Sequence, residues 1–293
     1  MASNISLTDT LRLLITANHV LHYHSIVDAF GHISVRNPLD ASTFYMSAML
    51  APAIVASPDD LVQYYVSNGS AVDPAAPEGY SERFIHSEVL RQYPSVGSVI
   101  HSHADELLPF TIVEGVEVQP AFHMAGFIGD AVPVFDIARY YTAADTNHNL
   151  LVSNPHLGAA LASHFDLPAA SGNESSTNAT SPARTLVLMR GHGFTTVGVD
   201  ILTAVYRAYY IAANARLQSA AMALGSAVAV GGGGQGNEGG GGGKVRYLSA
   251  RERHDAGDTK HEWVVKAWGL WLKEVRTRAG GLYENALGWP VVS

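Results

Sequence analysis

The 293-residue chain contains no cysteine. Disulfides, thiolate nucleophiles and cysteine-type zinc sites are thereby excluded, and a site for a borderline metal must be built from histidine and carboxylate. Charge is also sparse. Asp, Glu, Lys and Arg make up 15% of residues, with a net charge of −8. That balance argues against a general nucleic-acid binder, which needs a basic surface to displace counterions. It leaves an anionic small molecule open, because one local cluster can reverse the field inside a pocket. No run of about 18 uninterrupted apolar residues is present, so no membrane-spanning helix is expected. The opening MASNISLTDTLRLLITANHV lacks a basic segment followed by an apolar one, since Arg12, Asn18 and His19 interrupt it. A cytoplasmic location is the expectation.

What the chain does have is apolar material for a core, at 47% of residues. Leu11, Leu14, Ile15, Val20, Leu21 and Val27 follow helical spacing behind Ser6 or Thr8 as cap. GHISVRNP then alternates as a strand does and stops at Pro38. TFYMSAML and LVQYYVSNGSAV read as further strands, the second turning at Asn68-Gly69. Ser81 to Tyr93 reads as a helix with Ser81 as N-cap and Glu82 in its first turn, ended by Pro94. Val96 to His103 reads as a buried strand, and EVQPAF, AVPVFD and RTLVLMRGHG as later ones. DILTAVYRAYYIAANARLQSAAMAL and HEWVVKAWGLWLKEVRT are helical. Strands and helices mix throughout, so the expected class is α/β, in one domain over 1–293. Two small-polar or glycine-rich stretches, 169–183 and 231–244, are expected to be flexible insertions. Tyr206, Tyr209 and Tyr210 are read as packing residues. Trp263, Trp268 and Trp271 are read as one buried helix face.

Against a background of 14 histidines, SVIHSHADELLPF places His101 and His103 two apart. On a strand such residues share a face, ~6–7 Å apart, and can converge on one ion; the alternative is a pair of ordinary hydrogen-bonded rings. In MRGHGFTTVG, an apolar strand runs into His192 flanked by Gly191 and Gly193, which lets the backbone bend and approach closely. That is a place for a third ligand, or a glycine-rich turn that holds a histidine. Glu82 either complements the dipole of its helix or joins the same site. HVLHYH, residues 19–24, is read as helix surface and core.

Taken in order, GHISVR, SERFIH, VIHSHA and RGHG resemble the class II aldolase/adducin family over roughly residues 7–225. The resemblance implies a single three-layer α/β/α domain around a largely antiparallel sheet, assembled as a homotetramer with sites at subunit interfaces. It implies His101, His103 and His192 as ligands of a divalent metal, with zinc preferred over iron or manganese, and Glu82 as the acid/base carboxylate. Three neutral imidazoles leave coordination positions open for a substrate with adjacent oxygens.

Sugar-phosphate aldolases of the family carry Gly-Asn in the first motif, Thr-Gly in the next strand and Ser-Ser before the glutamate. This chain has Gly31-His32, then MSAMLAPA, then Tyr80-Ser81. A phosphate groove is therefore not expected, and the Gly-His form is more similar to members acting on unphosphorylated carboxylates. Gly31, His32, Arg36 and Ser81 are the candidate substrate contacts. Arg36 is equally well read as a surface ion pair. His123 in QPAFHMAGF sits near the place of a family tyrosine that donates a proton, and reads either as proton donor or as a core or interface histidine. The expected function is a metal-dependent carbon–carbon lyase that decarboxylates a small unphosphorylated acid, aromatic acids included. Aldol cleavage, a non-catalytic scaffold and an iron-dependent oxygenase are the alternatives.

Overall fold

A mixed sheet runs through the middle of the chain in the computed structural model, which describes residues 6–130, 132–166, 180–231, 243–257, 259–278 and 280–291. Its strands are β1 (His32–Arg36), β2 (Thr43–Ser47), β3 (Leu61–Tyr65), β4 (Ser98–Ser102), β5 (Val134–Phe135), β6 (Leu186–Met189) and β7 (Gly193–Gly198), in the order β3-β2-β1-β4-β7-β6-β5. All pairings are antiparallel except β5 with β6. The helices are α1 (Leu7–Tyr23), α2 (Arg83–Gln92), α3 (Leu108–Ile112), α4 (Pro155–Ser163), α5 (Ile201–Gly231), α6 (Ala250–Gly257) and α7 (His261–Arg278).

Alternation along the strands divides the core in two. On β1 and β4, Ile33, Val35 and Ile100 face a cluster that includes Leu14, Ile15, Val205, Ile211 and Trp268, from α1, α5 and α7. Val99, on the opposite face of β4, joins Phe44, Met46, Ile85, Val89, Leu157 and Leu161, which include residues of α2 and α4. Helices thus cover both faces, giving the α/β/α sandwich and largely antiparallel sheet expected from the sequence. Each fully buried aliphatic side chain in these layers contributes ~1.5–3 kcal/mol. Because His32 and Ser34 alternate with Ile33 and Val35, they lie on the α2 face, as does His101. Among the described residues no helix is long and apolar enough to cross a membrane.

Several local expectations are corrected. EVQPAF is not a strand, because α5 takes up its backbone groups. Asn214 Nδ2 donates to the Gln119 carbonyl (2.9 Å), and Asn214 Oδ1 accepts from Ala121 N–H (2.8 Å). Gln218, one turn on, binds the Glu117 carbonyl (2.7 Å) and Gln119 N–H (3.0 Å). AVPVFD contributes only the two-residue β5. Ser81 is exposed and does not cap α2; Glu82 occupies the cap position and its side chain turns elsewhere. Trp268 and Trp271 are buried with Val264 and Val275, but Trp263 lies one residue off that stripe and is 41% exposed, beneath the Lys260 ammonium. Of the two predicted insertions, residues 169–179 and 232–242 lie outside the described residues.

Replacing Asn214 with alanine strands a backbone donor and acceptor in 119–121, and should cost about 2 kcal/mol in urea unfolding. It should also speed amide exchange at Ala121. Unchanged exchange there would contradict this account of the segment.

Candidate active site

The strand register brings the site together. His101 pairs across the sheet with His32 on one side and Thr195 on the other. The chain leaves β4 at Ser102, whose hydroxyl turns to the opposite side and donates to the Ile26 carbonyl. His103 therefore falls on the same side as His101, just past the strand end. The turn between β6 and β7 carries His192. Gly191 takes φ +63°, and a Cβ on Gly193 would lie 2.0 Å from the Ser102 carbonyl oxygen. Only glycine permits that approach of β7 to β4, and it sets His192 alongside His103.

The three rings cluster, with centroid separations of 4.8, 4.8 and 5.0 Å. One nitrogen from each, together with a Glu82 oxygen, lies within 4.8 Å of the others. Glu82 Oε2 is 3.7 Å from His101 Nε2 and 3.6 Å from His192 Nε2. Its Oε1 accepts from the Val152 N–H at 2.9 Å, which fixes the carboxyl. Burial pushes the Glu82 carboxyl up to about 7, against the pull of the Val152 N–H. Burial first, then the His192, His32, His103 and His86 rings, hold His101 well below its ordinary range. Burial and then His103 lower His192 to about 4. These two imidazoles are uncharged at neutral pH.

Tautomers decide what this cluster can hold. His101 Nδ1 faces the Phe194 carbonyl at 3.1 Å and must donate to it, which leaves Nε2 bare. His103 Nδ1 lies 3.4 Å from the Asp28 carboxylate, which likewise keeps the proton there. The two Nε2 atoms then face each other at 2.9 Å with no proton between them. Two lone pairs at that distance repel unless a cation sits against both. Nitrogens ligating one ion at ~2.0–2.1 Å lie about 3 Å apart. The donor set of three imidazoles and one carboxylate fits a divalent metal such as zinc, iron or manganese.

Of the remaining candidates, Gly31 immediately precedes β1, at a point where a Cβ would meet Val27 at 2.8 Å. Its N–H and that of Phe30 both donate to Asp28 Oδ1 at 2.8 Å, which orients the carboxylate towards His103. His32 is 1% exposed, with its ring 5.2 Å from His101. Ser81 precedes Glu82 and lines a cavity of about 390 Å³ with Met49, Tyr64 and Arg83. Two candidates are not brought to the cluster. Arg36 points into the fold, donating to the carbonyls of Val96 (3.0 Å), Ala41 (2.8 Å), Leu90 (2.7 Å) and Tyr93 (3.3 Å). It clamps the turn before β4 and is not part of a surface ion pair. His123 is exposed at the start of a short 3₁₀ turn, with its ring 6.0 Å from Phe122. Sequence reasoning missed Asp28 and Val152, which act through contacts 75 and 70 residues away along the chain. It also missed His86, although that residue closes the quoted SERFIH.

The profile of the class II aldolase and adducin N-terminal domain matches residues 12–219. A decarboxylase, tropJ of Talaromyces stipitatus, is 44% identical over 282 residues, covering 96% of this chain and 99% of its own. An aldolase II superfamily protein from Pseudomonas syringae superposes with TM-score 0.67 at 16% identity, over 95% of this chain and 96% of that one. The L-fuculose 1-phosphate aldolase of Glaciozyma antarctica superposes with TM-score 0.63 at 17% identity, over 97% and 95%. At those identities the two structures establish the fold alone.

Two outcomes follow from the geometry. Gly193→Ala drives a Cβ into the Ser102 backbone and should cost at least about 2 kcal/mol, with loss of bound metal measured by atomic emission. Retention of full metal content would contradict the close-approach argument. In the metal-free protein, Glu82 is ionised in the unfolded chain above about 4.5 but stays protonated in the fold up to about 7. Folding takes up a proton in that window, so the group's contribution falls as pH rises through it, by about 3 kcal/mol in all. Glu82→Gln has no such proton to gain. Its urea midpoint should exceed that of the metal-free parent at pH 8, and the gap should narrow as pH falls to 5. A gap independent of pH would show that Glu82 titrates normally.

Proposed function

The chain belongs to the class II aldolase and adducin family, and from that premise we propose that it is a metal-dependent lyase that decarboxylates a small, unphosphorylated hydroxy- or keto-acid, aromatic acids included. The observation that carries this reading is the pair of bare Nε2 atoms of His101 and His103, 2.9 Å apart beside His192 and Glu82. Its companion is the 44% identity, across nearly all of both chains, to a protein named as a decarboxylase. His101, His103 and His192 would hold the ion, with zinc preferred and iron or manganese the alternatives. When bound, the ion supplies Lewis acidity, drawing electron density from adjacent substrate oxygens and lowering the cost of negative charge on the fragment that remains.

The chain's own groups do the rest. Loss of CO2 leaves an electron pair on the former α-carbon, and that carbon needs a proton. Glu82 is placed to give it from Oε2, since Oε1 is occupied by the Val152 N–H. Without the ion, burial raises that carboxyl. Beside the cation it would be drawn back towards carboxylate, and a group held between the two forms suits proton transfer. Water restores the proton afterwards. Asp28 keeps the His103 ring in the tautomer that exposes Nε2. Gly31, His32 and Ser81 are the proposed substrate side of the site.

The segment that would cradle a phosphate offers little to do so. Met46, Ala48, Ala53 and Val55 are buried, apolar members of the core. The reading includes a homotetramer. Because His123 is exposed and apart from the cluster of its own protomer, its proposed proton-donor role belongs to the site of a neighbouring copy.

Assaying CO2 and aldehyde release from a panel of hydroxy- and keto-acids tests the reading. The metallated protein should release CO2 from at least one acid, lose the activity to a chelator and regain it on readdition of zinc, manganese or iron. Glu82→Gln should lower kcat by ~10²–10⁴. Aldehyde release without CO2 would replace decarboxylation with aldol cleavage, and neither product from fully metallated protein would sink the lyase.

A further inference from the structure

Behind the cluster, on the α2 face of the sheet, runs a buried polar chain that the reaction as described does not use. Ser34 Oγ lies 2.7 Å from His86 Nδ1, and His86 Nε2 lies 2.7 Å from His32 Nδ1. Ser34 and His86 are fully buried and His32 is 1% exposed. The other edge of the His32 ring, Nε2, is buried and bonded to nothing. That ring lies 4.6 Å from Tyr80 and 5.2 Å from the ligand His101.

Two proton arrangements are open to this chain. In one, His86 Nδ1–H donates to the Ser34 oxygen and His32 Nδ1–H donates to His86. The Ser34 hydroxyl proton then has no acceptor among its contacts, and a buried unpaired donor costs about 1–3 kcal/mol. In the other, the hydroxyl donates to His86 Nδ1 and His86 Nε2–H donates to His32 Nδ1. Only the proton on His32 Nε2 is then unbonded. This arrangement also leaves one donor unpaired, but it sits beside the ligand cluster, where a bound anionic oxygen can accept from it. The first arrangement strands both the Ser34 hydroxyl proton, behind the cluster, and the bare Nε2. A protonated Nε2 cannot ligate an ion. His32 therefore stands beside the three ligands as a donor, not as a fourth imidazole.

We propose that Ser34 and His86 are positioning residues that lock His32 in its Nε2–H tautomer, and that this N–H donates to an anionic oxygen of the bound acid. The identity of that acid rests on the lyase reading; the lock does not. Two rings and a hydroxyl, all buried and uncharged, form a rigid relay that places one donor beside the cluster without adding charge to it. A neutral donor suits a carboxylate that must depart as uncharged CO2, since a full positive charge there would hold the ground state.

The test reads the tautomer directly. Long-range 1H–15N correlation spectra of histidine-labelled, zinc-loaded protein, with His32 assigned through His32→Gln, should show His32 protonated at Nε2. Ser34→Ala, which deletes one oxygen, and His86→Gln should each shift it towards a mixture of tautomers at unchanged zinc content. Protonation at Nδ1 in the parent, or a His32 signal indifferent to Ser34→Ala, overturns the lock. Ser34→Ala suffices if His86→Gln does not fold. The donor is read with oxalate as probe, titrated calorimetrically into the zinc-loaded protein. His32→Leu should weaken oxalate about tenfold, whereas His32→Gln, which keeps an N–H near the same place, should recover much of that loss. Equal affinity in parent and His32→Leu overturns the donor role. Oxalate binding requires no turnover, so a panel without CO2 release alongside an intact tautomer and oxalate response would sink the decarboxylase reading and leave this inference standing.

Discussion

Two imidazole lone pairs pointed at each other across 2.9 Å are an unfavourable arrangement, and most of what positions the site exists to impose it. The Phe194 carbonyl takes the outer proton of His101, and Asp28 takes that of His103. Backbone N–H groups of Phe30 and Gly31 hold Asp28. β4 and β7 are zipped together from Ser98 to Ser102, which fixes the backbone that carries His101 and leads directly into His103. A cation placed against both lone pairs would relieve that repulsion, and in the proposed metal-bound enzyme metal binding and folding of this corner would be coupled.

Burial organises the rest of the electrostatics. Burial alone pushes His86 down to about 3, while burial first and neighbouring rings next hold His32 well below its usual range. The same desolvation raises Glu82 to about 7. One cause thus acts with opposite sign on bases and acid, because in each case it disfavours the charged form. The result is that the buried imidazoles of His32, His86, His101 and His192 are neutral, hence able to ligate or donate, while burial works against the charge on Glu82.

Among the described residues, the C-terminal third supports this arrangement from behind the sheet. α5 packs along β7 and β4, and Asn214 and Gln218 on that helix hold the segment 117–121 by its backbone. Tyr283 closes over α1, within ring distance of His19, His22 and Tyr23. The histidines of HVLHYH are thereby spent on packing and on contacts such as His19 Nε2 with the Val55 carbonyl, 2.7 Å away.

By itself the sequence determined the layered α/β class, the long α5, the strand bearing His101, and the glycine-flanked turn bearing His192. These follow from periodicity, from the two-residue repeat of a strand and from the backbone freedom of glycine, all of which are local. It also exposed the missing Thr-Gly, which bears on substrate. Only the tertiary structure decided that Glu82 turns away from its helix to meet Val152, that Arg36 is consumed by four carbonyls, and that EVQPAF is held by side chains instead of a neighbouring strand. It alone revealed the Ser34–His86–His32 chain and the Asp28 contact. Each of these is a choice of partner between groups far apart in sequence, made by burial and the hydrogen bonds that burial demands, and no local pattern encodes which distant group will be there.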